Sequence, residues 1–116
     1  MKRYKHYSVY KSIPASSSAR IPVVEWKEPV KARIVEIIYR LSVWAPAAMG
    51  FYIRVNDMRV APTSGWFSLS GYPVRVPLAI DINPGDKVEI EAVNNHSSDT
   101  MLIDAIVVVE YEEGEQ

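Results

Sequence analysis

PLAIDINPGDKVEIEAVNN (77–95), with MLIDAIVVVEY (101–111) after it, decides the fold. In KVEIEAV (87–93), Val88, Ile90 and Ala92 take one phase and Lys87, Glu89 and Glu91 the other. That period of two places the apolar side chains on one face of a strand. The preceding Asn83-Pro84-Gly85-Asp86 is a turn with a physical cause, since Pro84 presets φ and Gly85 accepts a positive φ. Upstream, VRVPLAIDI (74–82) sets Val74, Val76, Leu78, Ile80 and Ile82 on one face, which is predicted to be buried. Downstream, Met101, Ile103, Ala105, Val107, Val109 and Tyr111 alternate with Leu102, Asp104, Ile106, Val108 and Glu110. The second set is half apolar, so that face is expected to be covered as well.

The same period extends towards the N-terminus. FYIRV-ND-MRV (51–60) reads as a hairpin whose Asn56-Asp57 turn tolerates positive φ. Its register would set Val55 against Met58, Ile53 against Val60 and Arg54 against Arg59. Like charges directly opposite repel, so an anionic group or open solvent is expected beside the two arginines. PTSG (62–65) breaks the chain, and GWFSLS (65–70) gives a short strand. APAAMG (45–50) reads as a loop. VKARIVEIIYRLSVW (30–44) fits a helical face through Val30, Ile34, Ile37, Ile38 and Leu41, but Val35, Ile37, Tyr39, Leu41 and Val43 alternate and β-branched residues abound. A strand is the favoured reading. Because Val30, Ala32 and Ile34 lie on the other phase, it requires a bulge near Ile34–Val35. IPVVEW (21–26) is a further strand, confined by Pro22 to an edge or a strand start.

Seven to eight short strands separated by turn signals predict an all-β chain: one antiparallel β-sandwich, jelly-roll-like. Residues 21–116 form that domain. Residues 1–20, MKRYKHYSVYKSIPASSSAR, read as an extended basic arm, with Pro14 and a run of serines, and with Tyr4, Tyr7, Val9, Tyr10 and Ile13 too apolar for a free solvent tail. The expectation is an arm that docks on a neighbour, with Arg3, Tyr4, Tyr7 and Tyr10 as its contacts.

A chain of 116 residues suits one domain, and 48% hydrophobic with 23% charged residues is ordinary globular usage. With no cysteine there is no disulfide framework and no thiolate metal site. That absence, together with a single glutamine (Gln116), points towards heat tolerance. No apolar segment follows Lys2 and Arg3, and no run approaches the roughly 20 residues of a membrane helix; a soluble protein with no membrane partner is expected. The net charge of −1 argues against a nucleic-acid role. The charges are nevertheless sorted: five bases and no acid in residues 1–20, ten acids and one base in residues 81–116.

The search for chemistry yields little. Asn95-His96-Ser97-Ser98-Asp99 holds the residue types of a triad, but a triad converges from separate segments, so a polar turn is the reading. Asp81 to Asp86 resembles the start of a calcium loop without its later ligands. Glu89 and Glu91, and Asp104 and Glu110, are carboxylates sharing strand faces, read as solvated rather than as a glycosidase pair. No catalytic residue, cofactor or metal is predicted. Trp26, Trp44, Trp66 and Tyr72 near strand ends, with Arg54 and Arg59, are the candidate interface, since aromatics and arginine anchor protein contacts; the aromatic side chains could alternatively stack on sugars.

In overall design the chain resembles small all-β virion proteins, the head-decoration and other capsid-associated sandwiches of tailed phages and related viruses. The features that carry this are the arm MKRYKHYSVYK, the connector ASSSAR, and the block PLAIDINPGDKVEIEAVNN followed by MLIDAIVVVEYEE. The resemblance implies a virion-located, non-enzymatic homo-oligomer, often a trimer, that sits on a capsid lattice and reinforces it. A carbohydrate-binding module or lectin-like domain is the alternative.

Overall fold

A computed structural model describes residues 1–42, 49–68 and 73–113. Nine strands follow in chain order: β1 (Lys2–Ile13), β2 (Ser17–Glu25), β3 (Ala32–Leu41), β4 (Met49–Val55), β5 (Met58–Ala61), β6 (Phe67–Ser68), β7 (Val74–Ile82), β8 (Lys87–Asn94) and β9 (Met101–Glu112). Among the described residues there is no helix. Every strand pairing is antiparallel. One sheet runs β1-β9-β3-β7 and the other β2-β8-β4-β5, with β6 also on β4. With the two-residue β6 set aside, the strands alternate between the sheets except at the β4–β5 hairpin, which is the order of a jelly roll. The all-β sandwich read from the sequence is the fold.

The core lies between the sheets and is filled by the residues the alternation selects. Ile34, Ile37 and Leu41 of β3, Phe51 and Ile53 of β4, Val88, Ile90 and Ala92 of β8, and Met101, Ile103, Ala105, Val107 and Val109 of β9 are all buried. Tyr39, Phe51 and Phe67 meet as an aromatic cluster across the interior, with the Tyr39 and Phe51 centroids 4.9 Å apart, edge to face.

The segment with two phases forms a strand, and its register slips between Ile34 and Glu36 against both β7 and β9. That extra residue lets Ala32 and Ile34 face inward before it and Ile37, Tyr39 and Leu41 after it. The Asn56-Asp57 turn has both residues at positive φ, 51° and 69°. Val55 faces Met58 and Arg54 faces Arg59 as expected, but a shift between Ile53 and Arg54 sets Ile53 against Ala61 rather than Val60. Gly85 takes φ 92°, and Asp86 closes its turn by accepting from the Asn83 amide at 2.8 Å.

The largest departure from expectation is at the N-terminus. Residues 1–20 are no free-standing arm: they make up β1 and the start of β2, one strand in each sheet. Val9 and Ile13 are buried, and β1 pairs residue for residue with β9 from Lys2↔Glu112 to Ile13↔Met101. The sorted charges meet across this ladder. Lys2 lies 3.7 Å from Glu110, Arg3 2.8 Å from Glu113, and the N-terminal amine 3.5 Å from Glu112. β1 is also why nine strands form where seven or eight were expected. At the opposite edge, Val74, Val76, Leu78 and Ile80 of β7 are only half-buried, and Ile82 alone of that face is enclosed. The outer face of β9, expected to be covered, is so in part: Val108 is buried, Ile106 is half-buried and Leu102 is exposed.

Candidate functional site: two outer sheet faces

The register fixes what each sheet presents outward. On the β1-β9-β3-β7 sheet the outward side chains form cross-strand rows. One row is Ser8, Ile106, Ile38 and Arg75; the next is His6, Val108, Glu36 and Pro77. Tyr10, Asp104 and Arg40 lie beyond them on one side, and Tyr4, Glu110, Arg33 and Asp81 on the other. The centre is therefore apolar: Ile106 and Ile38 are half-buried and Val108 is buried although it is not part of the core, while Leu102, 41% exposed, lies beyond the Asp104 row at the end of β9. The rim carries both signs of charge. Arg75 pairs with Glu36 at 3.2 Å, Arg33 with Asp81 at 3.1 Å, and the Tyr4 hydroxyl donates to Glu110 at 3.1 Å. The Arg33 guanidinium and Lys31 hold the Asp81 carboxyl below the usual carboxylate range.

The outer face of the other sheet is polar and aromatic. Arg54 and Arg59 stand opposite each other, and the anionic group expected there is Glu91 on β8. Arg54 donates to Glu91 at 3.0 Å and to the Asp57 carbonyl at 2.6 Å. Arg59 turns instead to the Pro62 carbonyl, 2.8 Å away, and lays its guanidinium 4.5 Å from the Tyr52 ring centroid. Arg20 approaches Glu91 at 3.5 Å and Asp57 at 2.7 Å, so one carboxylate serves two arginines. Beside this network Trp66, 36% exposed, rests on Gly50. A Cβ at Gly50 would lie 2.6 Å from Cδ1 and 2.7 Å from Cγ of the Trp66 ring, so only glycine admits this seat.

The other candidates separate. Trp26 is not at a surface: it is buried, its indole N–H donates to the Val30 carbonyl at 2.7 Å, and its ring meets Tyr111 edge to face. Lys5 closes over both rings, 5.6 Å and 5.7 Å from their centroids, and pairs with Glu28 at 3.0 Å, which raises its pKa. Trp44 and Tyr72 lie outside the described residues, as do residues 45–48 of the expected loop and 69–70 of the strand read at 65–70. Arg3 is bound to Glu113, and Tyr7 faces inward, where burial raises its pKa. Tyr4 and Tyr10 are exposed, at 53% and 70%. Tyr52 and Gly50 were not singled out in the sequence; their place opposite Glu91 and Val93 emerges only from the β4–β8 register.

The residues with catalytic types are engaged structurally. His96 Nδ1 accepts the backbone N–H groups of Ser98 and Asp99, at 3.1 Å and 2.9 Å, which ties the 94–100 loop. Asn94, fully buried, donates to the Ile13, Pro14 and Asp99 carbonyls and fastens that loop to the β1–β2 turn. Asp86 is used by Asn56 and Asn83, and Asp81 by Lys31 and Arg33. Among the described residues no group of three His, Asp or Glu side chains could hold a metal ion, and no helix is long and apolar enough to cross a membrane.

No family model matches the chain, and no curated protein matches it. Solved structures do share its fold. The crystal structure of FLHE aligns with a TM-score of 0.58 at 13% identity, over 97% of this chain and 98% of that one. A chain of the cyanophage Pam1 capsid asymmetric unit aligns with a TM-score of 0.53 at 15% identity, over 96% and 85%. A chain of infectious bursal disease virus, Gx strain, aligns with a TM-score of 0.51 at 14% identity, over 99% of this chain and 33% of that one. The likeness to virion proteins thus holds at the level of the fold.

Proposed function

We propose that this chain is a non-enzymatic structural protein of a virion, decorating or otherwise associated with a capsid, which assembles with copies of itself and reinforces a lattice. One observation carries the reading: the outer face of the β1-β9-β3-β7 sheet has an apolar centre at Ile106, Ile38 and Val108 with groups of both charge signs around it. Protein interfaces have that anatomy, a dry centre within a polar margin, and a rim of mixed sign suits a second copy of the same face. The viral structures of the same fold support the setting. Light scattering is the test. A trimer or larger assembly is expected, and Ile106→Glu, at a half-buried position on this outer face, should shrink it without changing the β-sheet circular dichroism. A monomer at every concentration overturns the reading.

A second reading, a sugar-binding domain, is favoured by Trp66 on its glycine seat beside Tyr52 and the Arg54–Glu91 pair. A flat ring with one face supported and the other partly open can stack on a pyranose, and the charged groups can bond its hydroxyls. Saturable quenching of tryptophan fluorescence by a soluble polysaccharide, lost in Trp66→Ala, would establish it.

A further inference from the structure

We propose that two copies of this chain join edge to edge through β1, antiparallel about a two-fold axis at Tyr7, merging two four-stranded sheets into one. This rests on the self-assembly proposed above and adds to its sheet-face contact an edge contact of two-fold symmetry, so that the assembly holds an even number of copies.

The sheet edges are not equally guarded. β7 carries Pro77 within it, β2 carries Pro22 and a register shift next to it, and β5 and β6 have four and two residues. Such devices blunt an edge against further strand pairing. β1 has none of them: twelve residues without proline or bulge, in unbroken register with β9. Only its bases guard it, and three of these, Lys2, Arg3 and Lys5, are matched by acids of the same chain.

Tyr4 and Tyr10 stand at equal distances from Tyr7 along β1. Pairing each residue with the one equally distant on the other side sets Tyr4 against Tyr10 of the second copy, Lys5 against Val9, His6 against Ser8 and Lys2 against Ser12. About a two-fold axis each of these pairs occurs twice. The pairing is also parity-correct, because directly opposite side chains must share a face and Tyr4 and Tyr10 both point outward. These are the exposed tyrosines described above, and they would cover each other twice. One like-charge pair arises, Arg3 with Lys11. The Glu113 carboxylate, 2.8 Å from Arg3 and open to solvent, is placed to serve both. A shift of two residues in either direction separates the tyrosines, and in one direction sets Lys5 against Lys11.

The chain has no cysteine, so introduced thiols report position directly. Directly opposite residues hold their Cβ atoms about 4.5–5.5 Å apart, close to disulfide reach of roughly 3.5–4.5 Å. His6→Cys and Ser8→Cys chains, mixed and oxidised with diamide, should cross-link as a heterodimer, whereas Ser18→Cys on β2 should not cross-link. Tyr10→Lys, at an exposed site, should lower the solution mass. Absence of the His6→Cys/Ser8→Cys heterodimer, equal cross-linking through Ser18→Cys, or an unchanged mass for Tyr10→Lys in a wild-type oligomer would each overturn the edge contact while leaving self-assembly standing. A monomeric wild type overturns both.

Discussion

Gly50→Ala is a small change with a sign that can be worked out in advance. Gly50 lies in β4, not in a turn, and its φ is not in the positive region. Replacing a strand glycine by alanine ordinarily stabilises by about 0.5–1 kcal/mol, because glycine loses more chain freedom on folding. Here the new methyl group would lie 2.6 Å and 2.7 Å from two Trp66 ring atoms and 2.9 Å from the Phe67 carbonyl oxygen, which the β4–β6 pairing holds in place. Overpacking of this kind costs about 1–3 kcal/mol. The net expectation is a loss of about 1–2 kcal/mol, or roughly 4–10 °C in melting temperature for a domain of this size. Thermal and urea unfolding followed by circular dichroism would measure it. A cycle with Trp66→Ala isolates the cause: without the indole the two closest contacts vanish, so the alanine penalty should fall by about 1 kcal/mol in that background. If Gly50→Ala is as stable as wild type, or loses the same amount with and without Trp66, the glycine seat is not what holds the tryptophan.

Asn94→Ala should cost about 2–4 kcal/mol by urea unfolding, because it leaves three carbonyls without their shared donor in a buried joint between the 94–100 loop and the β1–β2 turn. Trp26→Phe should cost about 2–4 kcal/mol, through lost volume and an unpaired Val30 carbonyl, and should reduce the protection of Lys5 against amine-reactive reagents. Asp81 has a folded-state pKa below its unfolded value, so it contributes stability above about pH 4 that fades as the pH falls through the folded value. Between pH 4 and pH 2, Asp81→Asn should therefore lose less melting temperature than wild type; an equal loss would contradict the Arg33–Asp81 pairing.

The bulge at Ile34–Val35 was legible because both flanks of the segment obey the period of two but on opposite phases, and only an inserted residue reconciles them. The Asn56-Asp57 turn was legible because few residues accept its backbone angles. β1 was not, since an edge strand buries little: only Val9 and Ile13 are enclosed, and Lys5 and Lys11 share their face. Its signal lay in the sorted charges, which reported pairing within the chain between Lys2, Arg3 and the acids that follow Val109. The aromatic face was half legible. Trp66 was marked by its residue type, but Gly50, Tyr52 and Glu91 come together only through the β4–β8 register, which no local pattern encodes. Trp26 was misplaced for a related reason: a strand-end tryptophan reads as exposed until Lys5, Val30 and Tyr111 are brought over it by distant pairings.

The position of β9 between β1 and β3 has a kinetic consequence. β1, β3 and β7 are all made before β9; until that strand has left the ribosome β1 has no partner in its sheet and β3 has only β7. The β1–β9 ladder closes a loop of nearly the whole described chain, an entropic cost met before the contacts repay it. Refolding in milliseconds to seconds is the expectation for such a non-local topology. During that interval the apolar strands waiting for β9 are the segments most open to misassociation, which makes the speed at which β9 inserts the step that governs how much folded protein a cell recovers.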